Sequence, residues 1–503
     1  MKISDTKIIG KTFQKIADIV TPTMGAKGQL AVLEDEFGRP YLTDDGVTVA
    51  KECLHFKGFE QMVALSISEA ASNTERVAFD GTTLTVLLTN EFYKAGMNLI
   101  KHHHHSQEAA TLIYNDASKA LDLLDKQKIK ITKSNSKFVR DVANITTKIP
   151  VIGELVYQAY QHAGNEMNVI IEHDRKSTES SIEHVDGMVI NSGYFSDELR
   201  QLCGESGQFV AENAKIILLS EGILTRVGVQ TLFGSIEDTT QPLVFVLDRN
   251  FNPESLKLLM DMLVQNKLPF MFVFINDQAP EEIFLDIAAK TGGKIQSATL
   301  GTTNYKIDYA GTADKIIIEQ SKTTIISKGN EEEIKKRLAA YQKEKDDYKY
   351  TMGNIRYDII NRRISNLDKG VTKIKLACAT VTEYKTIRMK LDDAIGAVRC
   401  ALHDGVVLGG GKTLYLISSQ LKYLGNAFKQ PMATIIKNAG FKMPSQHTLE
   451  DKTTGLDVQT GKEVDMINAG IIDSYTSVQQ AIVNAQSIAT SYLKSYILIK
   501  NRD

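Results

Sequence analysis

Ala78-Phe79-Asp80-Gly81-Thr82-Thr83-Leu84-Thr85-Val86-Leu87-Leu88 is the stretch from which the rest of the chain can be read. Apolar residues recur at Leu84, Leu87, Leu88, Phe92 and Ala95, the spacing of one helical face. Asp80-Gly81-Thr82-Thr83 therefore falls at a helix start. Backbone N–H groups there lack intrahelical partners and the helix dipole is positive, so an anion is favoured. The Thr82 and Thr83 hydroxyls can hydrogen-bond phosphate oxygens, and the Asp80 carboxylate can hold a Mg2+ between them. The same residues also make an ordinary capped helix, with Asp80 or Thr82 as the cap. The choice between the two depends on the rest of the chain.

The 503 residues are 43% hydrophobic and 24% charged, a globular mixture sufficient for about two to four domains. A net charge of −2 argues against nucleic acid as the main partner. Met1–Lys7 has no apolar signal core, and apolar runs such as Leu268–Ile275 are too short to cross a bilayer. Cys53, Cys203, Cys378 and Cys400 are widely separated, with no CxxC pair. The expectation is a cytoplasmic protein with reduced thiols, no membrane association and no zinc site.

Working outward, Ile8, Ile9, Phe13, Ile16, Ala17 and Val20 predict a helix over 9–20, ended by Thr21-Pro22. Thr23-Met24-Gly25-Ala26-Lys27-Gly28 reads as a tight turn. Gln29–Leu33 and Pro40–Thr43 read as a strand pair, and Asp44-Asp45-Gly46 closes it or opens the next element. A glycine turn beside an acid-glycine turn can cradle a nucleotide, though each alone is an ordinary turn. Helices are expected over 59–77 and on to residue 127. The four histidines His102–His105 cannot all face one way on a helix and read as a solvated helix end.

From residue 184 to 370 the character changes. Strand-like runs at Ile216–Leu219, Leu243–Leu247 and Phe270–Ile275 alternate with helical patterns over 253–265 and 280–291, an inserted α/β region. Asn330–Asn366 reads as two charged, half-solvated antiparallel helices. A strand at Val371–Ala377 and a helix from Thr386 to His403 follow. Gly405-Val406-Val407-Leu408-Gly409-Gly410-Gly411-Lys412-Thr413 is not a P-loop, because Val406 stands where the pattern needs glycine. Its triple glycine still lets a ligand approach the backbone closely. Helices are expected over 413–494, with a hairpin near Gly455–Met466 and a strand in the tail at Tyr496–Lys500.

Taken in order, these pieces resemble the group I chaperonins, the bacterial Hsp60 or GroEL type. The motifs are Thr43-Asp44-Asp45-Gly46-Val47-Thr48-Val49-Ala50, Asp80-Gly81-Thr82-Thr83 with Ala95-Gly96-Met97-Asn98, and Val185-Asp186-Gly187-Met188 with Gly193-Tyr194. Lys290-Thr291-Gly292-Gly293, Asp393-Ala394 and Gly405–Gly411 complete them. The resemblance implies a multidomain α and α/β subunit. A helical equatorial domain would come from residues 1–128 and 404–503, an intermediate hinge domain from 129–183 and 372–403, and an apical α/β domain from 184–371. It implies ATP, Mg2+ and K+ as cofactors, a homo-oligomeric seven-membered ring, single or double, and non-native client proteins enclosed in its cavity. A lid co-chaperonin is a further partner of the family. Terminal strands would pair with neighbouring subunits, since a lone subunit would leave them as unpaired edges.

Carried over by position, Asp80 matches the Mg2+ ligand, and Gly81, Thr82 and Thr83 the phosphate-binding turn. Thr23, Met24 and Gly25 match the loop along the nucleotide, and Asp45 an acid near the γ-phosphate. Asp393 matches the carboxylate that aligns the attacking water. Gly410 and Asp473 match contacts to ribose and base, and Asp457 lies near the adenine. Val229, Leu232, Phe233, Leu256, Leu259 and Met260 fall on the two apical helices that grip clients, about half of them expected to face the domain core.

The chain departs from the family at Phe79 (usually glycine), Leu84 (threonine), Ala26 (proline), Asp44 (lysine) and Asp457 (asparagine). Those positions bear on nucleotide affinity and K+ use. Ser192 and Val381 replace an arginine–glutamate pair, and the region 411–455 is about one helix shorter than usual. This describes a divergent member, and the Lys-, Ile- and Asn-rich composition hints at a mobile or viral genome. The expected function is ATP-driven protein folding. The alternative is a hydrolysis-impaired ring acting as a holdase or scaffold. A metabolic α/β enzyme is disfavoured because no paired acid–base set stands out.

Overall fold

The computed structural model describes residues 2–4, 7–34, 38–175, 177–194, 196–203, 207–220, 226–249, 251–277, 279–297, 305–347, 355–495 and 498–500. They form two compact units, Met1–Gln158 with Thr380–Asp503, and Ala159–Ala379. Of the segments expected to form an intermediate domain, 129–158 and 380–403 belong to the first unit, and 159–183 and 372–379 to the second.

The first leg of the first unit carries β1 (Lys2–Ser4), α1 (Lys7–Val20), the hairpin β2 (Ala31–Glu34) and β3 (Pro40–Thr43), and α2 (Gly46–Glu52). Then come α3 (Phe59–Ala78), α4 (Thr82–Lys101), α5 (Ser106–Asp125), α6 (Lys137–Thr147) and α7 (Pro150–Ala163), whose residues 159–163 already count with the second unit. The apolar face read at Leu87, Leu88 and Phe92 is buried. The histidine run is the α4–α5 connection: His102 ends α4, and His105 caps α5 by accepting from the Gln107 N–H.

The second unit holds β4 (Val169–Asp174), β5 (Ser181–Val185), β6 (Gly187–Ile190), α8 (Asp197–Gln201), β7 (Phe209–Leu219), α9 (Arg226–Gly234), β8 (Leu243–Asp248), α10 (Pro253–Gln265) and β9 (Phe270–Ile275). It continues with α11 (Pro280–Thr291), β10 (Ile295–Gln296), β11 (Gly311–Ile318), β12 (Thr323–Ile326), α12 (Glu331–Asp347), α13 (Ile355–Asp368) and β13 (Val371–Ala377). The main sheet runs β6-β12-β11-β7-β8-β9, with β10 beside β7. β7, β8 and β9 are parallel, and all six residues of β8 are buried, as covered parallel strands require. Phe245, Phe272 and Phe284 fill its core. A smaller sheet has the order β4-β13-β5.

The chain returns to the first unit with α14 (Val381–Asp404), β14 (Val406–Leu408), α15 (Lys412–Ser418), α16 (Gly425–Asn438), α17 (Gln446–Glu450), the hairpin β15 (Thr454–Asp457) and β16 (Lys462–Asp465), β17 (Ile472–Ser474), α18 (Tyr475–Lys494) and β18 (Leu498–Lys500). α18 packs against α3, α4 and α5 through Ala481, Ala485 and Ala489, all fully buried. Small side chains on this face let the helices approach closely. A Cβ at Gly96 of α4 would collide with Leu493.

Two expectations are corrected. α14 begins at Val381, not at Thr386. Thr380 caps it by accepting from the Glu383 N–H (3.0 Å), the Thr-x-x-Glu spacing of a capping box ahead of the apolar pattern. Asp393 therefore sits midway along a 24-residue helix. The terminal strands are also not left unpaired in a lone chain. β1 and β18 pair antiparallel with each other, Ile3 opposite Ile499. No described helix is long and apolar enough to cross a membrane.

Candidate functional site

The Asp80 turn joins α3 to α4. α3 ends on Phe79, left-handed at φ 58°, whose N–H bonds the Glu75 carbonyl (2.8 Å). Gly81 precedes α4 at φ 87°, and no side chain caps that helix. Neither Asp80 nor Thr82 serves as the cap, so the ordinary reading of this stretch does not hold. Asp80 Oδ1 instead accepts from the Gly81 N–H (2.6 Å). A Cβ at Gly81 would lie 2.9 Å from the Ser477 carbonyl oxygen, so the backbone conformation and the space both select glycine.

The start of α2 comes up against the start of α4. A Cβ at Gly46 would collide with the Thr83 hydroxyl and lie 2.8 Å from that of Thr82. Asp45 is the N-cap of α2, accepting from the N–H groups of Val47 (3.2 Å) and Thr48 (2.9 Å) and from the Thr48 hydroxyl. The buried Thr23 hydroxyl donates to the Val20 carbonyl (2.8 Å) and lies 3.5 Å from that of Thr83.

These elements wall a cavity of about 510 Å3 within the first unit. Thr23, Met24, Gly25, Asp45, Asp80, Gly81, Thr82, Thr83, Asp393, Gly410, Asp457 and Asp473 all line it. Residues the sequence reading left aside line it too. The lining contains eight carboxylates (Asp44, Asp45, Glu75, Asp80, Asp141, Asp393, Asp457, Asp473) and three lysines (Lys148, Lys390, Lys412). Lys412 is committed elsewhere. It is fully buried and donates to the carbonyls of Thr448 (2.7 Å) and Leu449 (3.0 Å), and burial lowers its pKa.

The surplus of carboxylates shows in their protonation. Burial, then the charges of Glu75 and Asp45, pushes Asp393 up to about 7. Burial, then Asp80, does the same to Asp473. Asp80 itself is raised by burial, against the Gly81 N–H and Lys148. Asp44 is also desolvated, but Lys148 (2.9 Å) and Lys390 (3.4 Å) hold its pKa below the ordinary value. Such a pocket fits a cation that arrives with an anion. Among the described residues, no three His, Cys, Asp or Glu side chains converge on a metal position. Mg2+ needs no such cluster, since one carboxylate with phosphate oxygens and water suffices.

Asp457 and Asp473 differ in what they are free to do. The Asp457 carboxylate is taken up by its own turn, accepting from the Gln459 N–H (2.9 Å) and the Thr460 hydroxyl (2.7 Å). Asp473, on β17 opposite Val407, lies within electrostatic reach of Asp80. Lys390 could have been found from sequence, being three residues before Asp393 and so on the same helical face. Lys148 ends α6 in a left-handed conformation, and nothing local marks it.

In the second unit, Val229, Leu232 and Leu259 are fully buried in the core. They are therefore not available at a surface. Phe233, Leu256 and Met260 are partly exposed. Val227 and Val264, on the same two helices, are 70% and 62% exposed.

The fold is similar to that of the chaperonin gp146 from the bacteriophage EL 2 (Pseudomonas aeruginosa), whose structures were determined in the presence of ATP-BeFx. In crystal form II the match has a TM-score of 0.76 at 17% identity, covering 99% of this chain and 98% of that one. In crystal form I it has a TM-score of 0.69 at 18% identity with the same coverage. The sequence model of the TCP-1/cpn60 chaperonin family matches residues 16–228 and 257–502, nearly the whole sequence, and the chain belongs to that family.

Proposed function

We propose that the chain is the subunit of an ATP-driven folding ring, binding ATP with Mg2+ in the cavity around the Asp80 turn and holding non-native proteins on α9 and α10 of the second unit. The observation that carries the reading is the set of twelve positions, from widely separated stretches, lining one cavity at a helix start that no side chain caps. Bound ATP with Mg2+ would supply the phosphoryl group and neutralise its charge. Gly81, Thr82 and Thr83 would donate N–H and hydroxyl groups to the phosphates, and Asp80 would hold the metal. Gly410, left-handed at φ 60°, leaves room for close approach of the ligand to the backbone. Asp393, desolvated and titrating near neutrality, would align a water and take its proton. Asp45 and Asp457 act here by shaping turns, through the hydrogen bonds they already make. The Lys148 ammonium bonds the Asp44 carboxylate and the Thr23 carbonyl (3.5 Å), a cation of the chain's own at the cavity. The ring would be homo-oligomeric and, by resemblance, seven-membered.

Asp393→Ala is expected to bind ATP normally and hydrolyse it at least about tenfold more slowly, a barrier higher by about 1.4 kcal/mol. Asp80→Ala is expected to lose metal-dependent nucleotide binding. ATP titration with single-turnover hydrolysis separates the two steps. Normal turnover by both variants would refute the mechanism. Wild-type binding without turnover would favour a hydrolysis-impaired holdase. For the client surface, Phe233→Ser with Met260→Ser should weaken capture of an unfolded protein while ATP turnover persists. Unchanged capture by the folded variant would remove that assignment.

A further inference from the structure

We infer that Phe79 is a positioning residue whose ring, seated on the bare backbone of Gly396, sets the distance of the Asp393 helix from the Asp80 turn. The inference rests on the ATPase reading above. Phe79 is the residue immediately before Asp80, and it adopts a left-handed conformation that side chains rarely take. A Cβ placed on Gly396 would overlap its ring, 2.5 Å from Cδ2. The ring and the glycine therefore fit only as a pair. On α14, Asp393, Gly396 and Cys400 fall at i, i+3 and i+7, one face of the helix. Asp393 enters the cavity, Gly396 meets Phe79, and Cys400 Sγ donates to the Val77 carbonyl (3.4 Å). Two successive turns of α14 are thus registered against the end of α3, and the next turn back carries the carboxylate. The ring is the thickest element of that contact.

A side chain that only filled space could be smaller and right-handed. Here an aromatic residue is held in an unfavourable backbone conformation, next to the proposed metal ligand, facing a glycine three residues from the proposed water-aligning acid. Removing the ring leaves α14 without a stop against the turn. Adding a methyl to Gly396 pushes the two apart. Both changes move Asp393 relative to the phosphate turn; Phe79 itself lines the cavity beside Asp80, whereas Gly396 does not, so Gly396→Ala displaces the helix from outside the nucleotide site.

The test is a double-variant cycle of Phe79→Gly and Gly396→Ala, with Phe79→Leu as the conservative variant. Each single change is expected to lower kcat for ATP about tenfold or more while KM stays within about threefold. The double variant should be no slower than Phe79→Gly, because the added methyl no longer meets a ring. Phe79→Leu should recover part of the rate. Without nucleotide, amide hydrogen exchange over residues 389–400 should be faster in Phe79→Gly than in wild type. Wild-type kcat in both single variants, or losses that multiply in the double variant, would overturn the inference. If the wild-type protein turns over no ATP, the ATPase reading fails instead. The exchange measurement then decides, and unchanged exchange in Phe79→Gly overturns the positioning role.

Discussion

Asp45, Asp80, Asp393, Asp457 and Asp473 look alike in the sequence and differ in what the fold has done with them. Asp45 and Asp457 spend their oxygens on neighbouring N–H and hydroxyl groups. Asp393 and Asp473 are desolvated among other acids and held near 7. The family resemblance brings all five to attention, but only the three-dimensional donors around each carboxylate separate them. The sign of the resulting pH dependence follows. A carboxyl whose pKa rises from 3.8 to about 7 on folding keeps a proton that the unfolded chain releases. Nucleotide-free stability should therefore fall as pH rises from about 4 to about 7, and level off above that. In Asp473→Asn the fall should be shallower, read as melting temperature against pH. An unchanged slope would mean that this carboxyl is not buried as a proton-retaining group. Lys412 makes the complementary case. In sequence it follows three glycines, like a phosphate-binding lysine, yet its ammonium is buried against two carbonyls of the Thr448–Leu449 backbone. Lys412→Met should leave two acceptors unsatisfied and destabilise the protein by about 2–3 kcal/mol in denaturant titration. Single-turnover hydrolysis should change little, whereas a phosphate-contacting lysine would make hydrolysis collapse.

Elements with a strong period were legible, and those decided by a cap were less so. β13 and the helices α10 and α11 fall where the alternation and the apolar spacing put them. α14 starts five residues early because Thr380 and Glu383 fix its end, while its apolar stripe begins later. That displacement places Asp393 in the middle of the helix, away from both ends of its dipole. The pair α12 and α13 was visible as charge and sparse apolar residues, but not how it is fastened. Arg363, buried on α13, sits 3.2 Å from Glu282 and 3.5 Å from Asp286 of α11. Arg337 of α12 also bonds Asp286, and the Tyr341 hydroxyl donates to it (3.0 Å). Burial still raises the Asp286 pKa despite both guanidinium groups, so the pairing does not fully offset desolvation. Breaking one side should then be expensive. Arg363→Met is predicted to destabilise the second unit by about 3–5 kcal/mol, the lower figure if Arg337 compensates. Thermal unfolding monitored in residues 159–379 checks it, with nucleotide binding to the first unit unchanged. An unmoved transition would show that the network holds α13 no better than solvent does.

Assembly is where a single sequence says least, because partners are specified by surfaces whose residues carry no period of their own. The expectation of unpaired termini does not survive, since β1 and β18 satisfy one another. The β2–β3 hairpin offers a surface for ring contacts instead. A two-stranded hairpin is marginal by itself in water. This one exposes Leu30 (58%), Val32 (67%), Tyr41 (38%) and Leu42 (63%). Val32 and Leu42 face each other across the ladder, so their side chains share one side. An apolar, open-edged ribbon of this kind invites pairing with another chain. In a family that forms rings, a second copy is the natural partner. Val32→Lys with Leu42→Lys puts two like charges side by side on that surface and should oppose any such docking. The wild-type protein is expected to run as a multi-subunit particle by light scattering at micromolar concentration, and to appear as a toroid in negative stain. The double variant should fall to monomers or small fragments of the ring, with metal-dependent nucleotide binding per chain retained, since neither residue lines the cavity. A monomeric wild type, with and without ATP, would remove the ring. A variant particle of unchanged mass would keep the ring and place its contacts elsewhere than on this hairpin.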